Sequence, residues 1–290
     1  LREAGAAARL MLREAAAREW GVPASDIEMR DAKAHHPDGS MLDYGELATA
    51  AADVDVPKNV ALKDPSEFRL IGTSQNRLDI PAKTTGEAVF GIDAGPSDAR
   101  VALVARCPVF GGTLRSFDPA PALAVPGVDE VVALSNGVAV VANGYWPAKQ
   151  GRDALLIEWD EGAGSTLNDE EITRRFKSAI QAGGGVAEQH GETDAAFAAG
   201  SDPIRATYSV PYLAHATMEP MTCTAHVLPD RCDVWVGTQG QTNTLQKTAQ
   251  ITGLDPEQIY IHTTYLGGGF GRRGWTEWVE ESVELSMATE

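Results

Sequence analysis

Cysteine is scarce in this chain: Cys107, Cys223 and Cys232 are the three in 290 residues. An odd, sparse set is not a disulfide framework. The nine-residue step from Cys223 to Cys232 fits no common zinc spacing, so all three are expected to be small buried residues. Basic residues are also short, at 24 Lys and Arg against 41 Asp and Glu, a formal net charge of −17. Duplex nucleic acid and anionic lipid surfaces both select cationic patches, so this balance argues against either as a main partner. Long apolar runs are missing too. None approaches the ~20 residues of a spanning helix, and the best, Val131 to Val141, is broken by Ser135, Asn136 and Gly137. The chain starts at Leu1 rather than Met, with a helix-forming stretch to Trp20 that lacks the layout of a signal peptide. Trp275 to Glu290 reads as a helix cut off in progress. The expectation is a piece of a longer protein. Localisation, periplasmic or cytoplasmic, is then open, because any export signal would lie upstream of Leu1.

What is present can fold. Hydrophobic residues make up 43% and charged residues 22%, enough for a buried core. Three segments differ in texture. In 1–58, Ala4, Ala7, Ala8, Met11 and Ala15 mark a helix that Gly21 and Pro23 stop. Ile27 and Met29 alternate with charged residues as a short strand, and Asp43 with Glu46 predicts a capping box for a helix to about Ala52. In 68–160, short apolar runs (Val101–Ala105, Val128–Leu134, Val138–Ala142, Leu155–Trp159) are split by Gly and Pro, which predicts a compact, mainly β unit with a short helix around Ala148–Arg152. In 166–290, a helix runs from Asn168 or Asp169 to about Ala182, and strands are expected at Ala206–Pro211 and Thr222–Leu228. The second of these pairs with Cys232–Gln239 in a hairpin. A helix over Thr242–Thr252 and a strand over Ile259–Tyr265 follow.

That last strand runs into Leu266-Gly267-Gly268-Gly269-Phe270-Gly271-Arg272-Arg273-Gly274. Five glycines in eight residues leave backbone N–H groups uncovered, as a close-approach loop or an anion-binding nest requires. The two arginines suit anionic oxygens. A bland alternative is a sharp turn that merely needs positive φ. A dinucleotide fingerprint is matched only by Gly269, Gly271 and Gly274, late in the loop, and a nucleotide-binding dehydrogenase would need an acidic residue ~20 positions on. An NTPase phosphate loop fails, because Gly271 is followed by Arg272 rather than Gly-Lys-Ser or Gly-Lys-Thr.

Three segments in order carry a resemblance: Ala214-His215-Ala216-Thr217-Met218-Glu219-Pro220-Met221, Trp235-Val236-Gly237-Thr238-Gln239, and Leu266 to Arg273. They resemble the large, molybdopterin-binding subunit of the isoquinoline 1-oxidoreductase and aldehyde dehydrogenase branch of the xanthine dehydrogenase–aldehyde oxidase family. Phe68-Arg69-Leu70-Ile71-Gly72, Arg77-Leu78-Asp79, Pro81-Ala82-Lys83, Gly86 to Asp93 and the ending Trp159-Asp160 look like its α/β hammerhead domain. The resemblance implies an α+β fold: the hammerhead in 68–160 plus part of the molybdenum cofactor-binding domain, with 1–58 and 166–290 flanking it and packing together. It implies hydroxylation of an aldehyde or N-heteroaromatic carbon with water as oxygen source. Electrons would pass to a small two-cluster iron–sulfur subunit. The cofactor would be a molybdopterin, in its cytosine dinucleotide form.

By the same resemblance Gln239 sets its amide beside the metal's oxo ligand, and Gly268, Gly269, Phe270, Gly271, Arg272 and Arg273 cradle the cofactor. The pterin itself ligates the metal, so no protein ligand is demanded. The purine-oxidising members carry Lys-Glu after the loop. Arg273-Gly274 stand there instead, which favours the isoquinoline and aldehyde branch. The family's catalytic base, a glutamate near the C-terminus of the full subunit, has no counterpart here, so the 290-residue piece alone is expected to be inactive. A non-catalytic scaffold of the same fold is the alternative, separated by whether that glutamate exists downstream. His215 and Glu219, four apart, are expected to form a structural pair rather than a metal site. His35-His36 and the acidic runs Asp169-Glu170-Glu171 and Glu280-Glu281 are expected to be solvated.

Overall fold

The computed structural model describes residues 1–200 and 202–289, which divide into two compact units, 1–80 and 81–290. In the first, α1 (Arg2–Trp20) ends at Gly21, whose φ of +64° is the left-handed cap that glycine adopts without strain. Strands β1 (Glu28–Arg30), β2 (Lys33–His35) and β3 (Met41–Asp43) form an antiparallel sheet in that order. Asp31 and Ala32 both have positive φ, the tight two-residue turn that matches strand twist. Helix α2 (Tyr44–Ala52) opens with the expected capping box; the Asp43 N–H donates to Glu46 Oε2 at 2.7 Å. Ala15, Ala16 and Ala17 of α1 close on Ile27, Met29, Ala34, Leu47 and Ala51 as the core. His35 and His36 are half-buried rather than solvated, and the His36 ring lies 5.2 Å from that of Trp20.

The second unit begins at Pro81, one residue into α3 (Ile80–Thr85). Its first sheet has strands β4 (Val101–Arg106), β6 (Val128–Leu134) and β7 (Gly137–Ala142) in the order β4-β7-β6, all antiparallel. Central strand β7 is buried at every residue, which explains its unbroken apolar text. Helices α4 (Ala120–Leu123) and α5 (Tyr145–Ala154) cover one face. Gly151 lets α5 approach so closely that a Cβ there would stand 2.7 Å from Val128 and 2.8 Å from Val140. A separate antiparallel pair joins β5 (Thr113–Asp118), a strand not foreseen from its mixed composition, to β8 (Leu156–Asp160). Beyond it, α6 (Asp169–Ala182), capped by Asn168, and α7 (Thr193–Ala199) bury no residue.

The strand expected over Ala206–Pro211 does not form; 202–222 holds no helix or strand. A strand gains its backbone hydrogen bonds from a neighbour, and none lies beside this stretch among the described residues. The last sheet has β9 (Cys223–Leu228), β10 (Arg231–Val236) and β11 (Ile259–Thr263) in the order β11-β10-β9. β9 is antiparallel to β10 through the foreseen hairpin, and β11 is parallel to it through helix α8 (Gln241–Thr252). Together α8 and α9 (Glu277–Ala288) seal Cys232, Val234, Val236, Ile259, Trp278, Val279 and Val283 into a core.

Helix α9 also ties the second unit's two three-stranded sheets together. Glu281, expected to be solvated, is buried, with Arg106 of β4 paired to its carboxylate and Asn136 Nδ2 donating at 2.8 Å. Glu284 accepts from the Ser135 N–H at 2.9 Å. The Asn136 partner of this acidic run lies 145 residues away in sequence, beyond the reach of any local pattern. Among the described residues no helix is long and apolar enough to cross a membrane.

Candidate cofactor cradle

Strands β10 and β11 are parallel neighbours, so the residues after their carboxyl ends emerge side by side. In open α/β sheets that edge is where loops can gather around a ligand. β10 continues through Gly237 and Thr238 to Gln239, and β11 continues into the Gly-rich loop. The two meet. The Gln239 N–H donates to the Arg273 carbonyl at 2.9 Å, and the Gly271 N–H donates to Gln239 Oε1 at 3.1 Å. An N–H can only donate, so this contact assigns the amide oxygen to the loop side. The Gln239 Nε2 hydrogens then have no protein partner among the described residues.

The glycines have distinct reasons. Gly269 has no room for a side chain, because a Cβ would stand 2.6 Å from Gln239 Cδ and Oε1. Gly271 has open space around it but φ of +84°, where only its backbone freedom matters. Phe270 sits between them with φ +52°, a costly conformation for a side-chain-bearing residue, and its ring is exposed. The backbone N–H groups of Gly268, Gly269 and Phe270 make no hydrogen bond among the described residues. Three successive N–H groups without a protein acceptor, beside an amide whose oxygen is held by the loop, leave donors available to an oxygen-bearing ligand.

Both arginine side chains are engaged by the protein itself. Arg273 is fully buried and turned inward. It donates to the carbonyls of Gly268 (2.9 Å), Gly237 (3.2 Å), Glu219 (2.9 Å) and Pro220 (3.2 Å), and pairs with Glu219 Oε2 at 2.8 Å. Its charge is thus matched inside the protein by Glu219. Arg272 is half-buried, paired with Glu277 and lying over the Trp278 ring at 5.3 Å. His215 is exposed, and the carboxylate expected to pair with it belongs instead to Arg273 and to two backbone N–H groups, Gly91 (3.0 Å) and Gly267 (2.8 Å). Glu219 and Arg273 are 54 residues apart, and nothing local in either segment signals the pairing. No group of three or more His, Cys, Asp or Glu poised for a metal exists among the described residues. Burial pushes the Cys223 thiol up to about 12 and that of Cys232 up to about 11, so neither supplies a thiolate near neutrality.

The two clefts nearest this sheet lie elsewhere. One, of about 870 Å³, is lined by Trp235, His262, Tyr265, Glu87 and Asp93, and the other, of about 460 Å³, runs between β4, β9 and α9. Neither includes Gln239 or residues 268–273. Gln239 and Phe270 are both exposed, so the cradle opens on the surface of this chain.

Comparison with known proteins gives this surface its class. Residues 178–290, which contain Gln239 and the whole loop, match the molybdopterin cofactor-binding domain family. Along 94–100% of its length the chain is similar to named subunits of molybdopterin-family oxidoreductases, of which it spans a part. Among curated relatives it is 31% identical to the beta subunit of isoquinoline 1-oxidoreductase from Brevundimonas diminuta, over 94% of this chain and 41% of that one. It is 27% identical to a subunit of nicotinate dehydrogenase from Pseudomonas putida, over 100% of this chain and 25% of that one. The chain thus spans well under half the length of these relatives. The fold is shared with the aldehyde oxidoreductase from Desulfovibrio gigas, at a TM-score of 0.57 and 19% identity over 84% of this chain and 32% of the other.

Proposed function

We propose that this chain is the hammerhead and first cofactor-binding portion of a molybdenum hydroxylase large subunit that oxidises an aldehyde or an N-heteroaromatic carbon with water as oxygen source. The observation that carries it is the Gln239 amide, oriented by the Gly271 N–H, beside three free backbone N–H groups. This donor set fits an oxygen-rich molybdenum cofactor, and the missing side chain of Gly269 leaves the approach open. When bound, the cofactor supplies the two-electron redox chemistry. The chain's own part is to hold and polarise. Gln239 Nε2 and the N–H groups of Gly268, Gly269 and Phe270 donate toward negative charge without titrating, and Phe270 offers an exposed apolar wall.

The finer reading is a cytosine dinucleotide form of the cofactor, a small two-cluster iron–sulfur partner subunit and a catalytic glutamate outside these 290 residues. It also includes the three-part division 1–58, 68–160 and 166–290, with the middle part as the hammerhead. The relatives are named as subunits and as enzymes of aldehydes and N-heterocycles, which supports this reading. The test is expression of the complete subunit with its natural partners, followed by metal analysis and dye-linked oxidation of aldehydes and N-heterocycles. About one molybdenum per subunit with turnover on either class is expected. Metal-free protein, after expression in a host that loads a related enzyme, would refute it. The 290-residue chain on its own is expected to hold no stable molybdenum and to turn nothing over.

A further inference from the structure

Glu219 joins three distant parts of the chain. One oxygen accepts from the Gly91 N–H at 3.0 Å, and the other accepts from the Gly267 N–H at 2.8 Å and receives Arg273 Nη2 at 2.8 Å. Arg273 in turn holds the carbonyls of Gly237, Gly268, Glu219 and Pro220. Both side chains are buried. The Gly-rich loop is therefore gripped at its two ends, at Gly267 where it leaves β11 and at Arg273 where it approaches α9. Between those grips lie Gly268, Gly269 and Phe270, whose N–H groups are free. A glycine-rich stretch has the largest backbone entropy to lose, so without the grips it would sample many conformations. Gly267 and Gly91 are also shaped to the clasp. A Cβ on Gly267 would overlap Glu219, and one on Gly91 would stand 3.3 Å from Glu219 Oε1.

We propose that Glu219 and Arg273 are positioning residues for the cofactor cradle: a buried ion pair that pre-orders residues 267–273 so that the free N–H groups and the Gln239 amide face one direction before any cofactor arrives. This rests on the reading of the loop as the cofactor seat. The charge is essential to it. Both carboxylate oxygens accept, from N–H groups fixed in the backbone, so Gln at 219 would always turn its amide hydrogens toward a donor, whichever way it flipped. Arg also grips four carbonyls in a fork geometry that Lys imitates only in part and Met not at all.

The experiment uses the complete subunit carrying E219Q, R273K or R273M. Cofactor-free protein, from a host unable to make the pterin, is treated with trypsin, and cleavage after Arg272, a site common to all variants, is timed. Loaded protein is assayed for molybdenum per subunit. The clasp predicts cleavage after Arg272 at least ~10-fold faster in E219Q and R273M, with R273K closer to wild type, and molybdenum content falling in the same order. A role in bulk packing alone would leave R273K and R273M alike, and that result overturns the proposal. So does cleavage at the wild-type rate in E219Q and R273M. Faster cleavage with full molybdenum in the clasp variants also overturns it, while Q239A in the same assay reports on the cradle separately. Full molybdenum and full turnover in Q239A as well would refute the cofactor reading itself. If E219Q fails to fold, the R273K and R273M pair still decides the question.

Discussion

Gly269 offers the sharpest test of the cradle, because its requirement for glycine is purely steric. Its φ is not in the left-handed region, but a Cβ would stand 2.6 Å from Gln239 Cδ and Oε1, where ordinary contact begins at 3.4 Å. Gly269→Ala must therefore push the Gln239 amide back by roughly 0.8 Å (3.4 less 2.6). The amide is the far end of a flexible side chain, so it gives way more readily than backbone would. The Gly271 N–H, 3.1 Å from Oε1, then loses its acceptor. One neutral hydrogen bond is worth about 1 kcal/mol net, equivalent to a melting shift of no more than ~2 °C in the much longer complete subunit. The functional cost is larger. If Gln239 supplies an oriented donor to developing charge, its displacement should lower turnover by roughly 100- to 1,000-fold. Gly271→Ala is the contrast: it meets nothing within 4 Å but must hold φ at +84°, costing about 1–2 kcal/mol in backbone strain. In the complete subunit, thermal melts, molybdenum content and steady-state dye-linked oxidation separate the two. Turnover of G269A within threefold of wild type at equal metal content would refute the assignment of Gln239.

Trp278 is buried and its Nε1 has no hydrogen-bond partner among the described residues. Trp278→Ala should therefore cost about 3–5 kcal/mol by chemical denaturation, and Trp278→Phe far less; equal losses would contradict the packing argument. Cys223 and Cys232, whose thiols burial pushes up to about 12 and about 11, should resist alkylation at pH 8 until the protein is denatured, and mass spectrometry of labelled peptides would reveal otherwise. Hydrogen bonds from Arg231, above all, and from His262 hold the Asp233 carboxyl down at about 2, against an ordinary 3.8. A lowered folded-state value means a stabilising contribution present above pH 3.8 and lost as pH falls toward about 2. The stability gap between wild type and Asp233→Asn in urea should accordingly shrink over that window; a constant gap would refute it.

Local chemistry made much of the fold legible. Asp43 and Glu46 announced the capping box, Gly21 stopped its helix as expected, and the strands expected over Thr222–Leu228 and Cys232–Gln239 paired as a hairpin. Strand β5 was opaque because Thr113-Leu114-Arg115-Ser116-Phe117-Asp118 pairs at an irregular edge with a bulge, where little apolar patterning is needed. Ala206–Pro211 has the apolar text of a strand, but pattern cannot supply a pairing partner. At the site, Gln239 and Gly268 to Gly271 were legible from the order of segments and the run of glycines. The meaning of Arg273 and Glu219 was not, because charge in a sequence does not say which way a side chain turns.

By itself, then, the sequence determined which stretches become helices, hairpins and a bare-backbone loop, since caps, periodicity and glycine act over a few residues. Tertiary structure alone decided that β10 and β11 run parallel and bring Gln239 to the loop, that Arg273 faces inward to Glu219 rather than outward to an anion, and that Glu281 is buried against β4. These depend on groups 27 (Cys232 and Ile259) to 175 (Arg106 and Glu281) residues apart. Only folding brings such groups within the few ångströms over which hydrogen bonds and buried charges act.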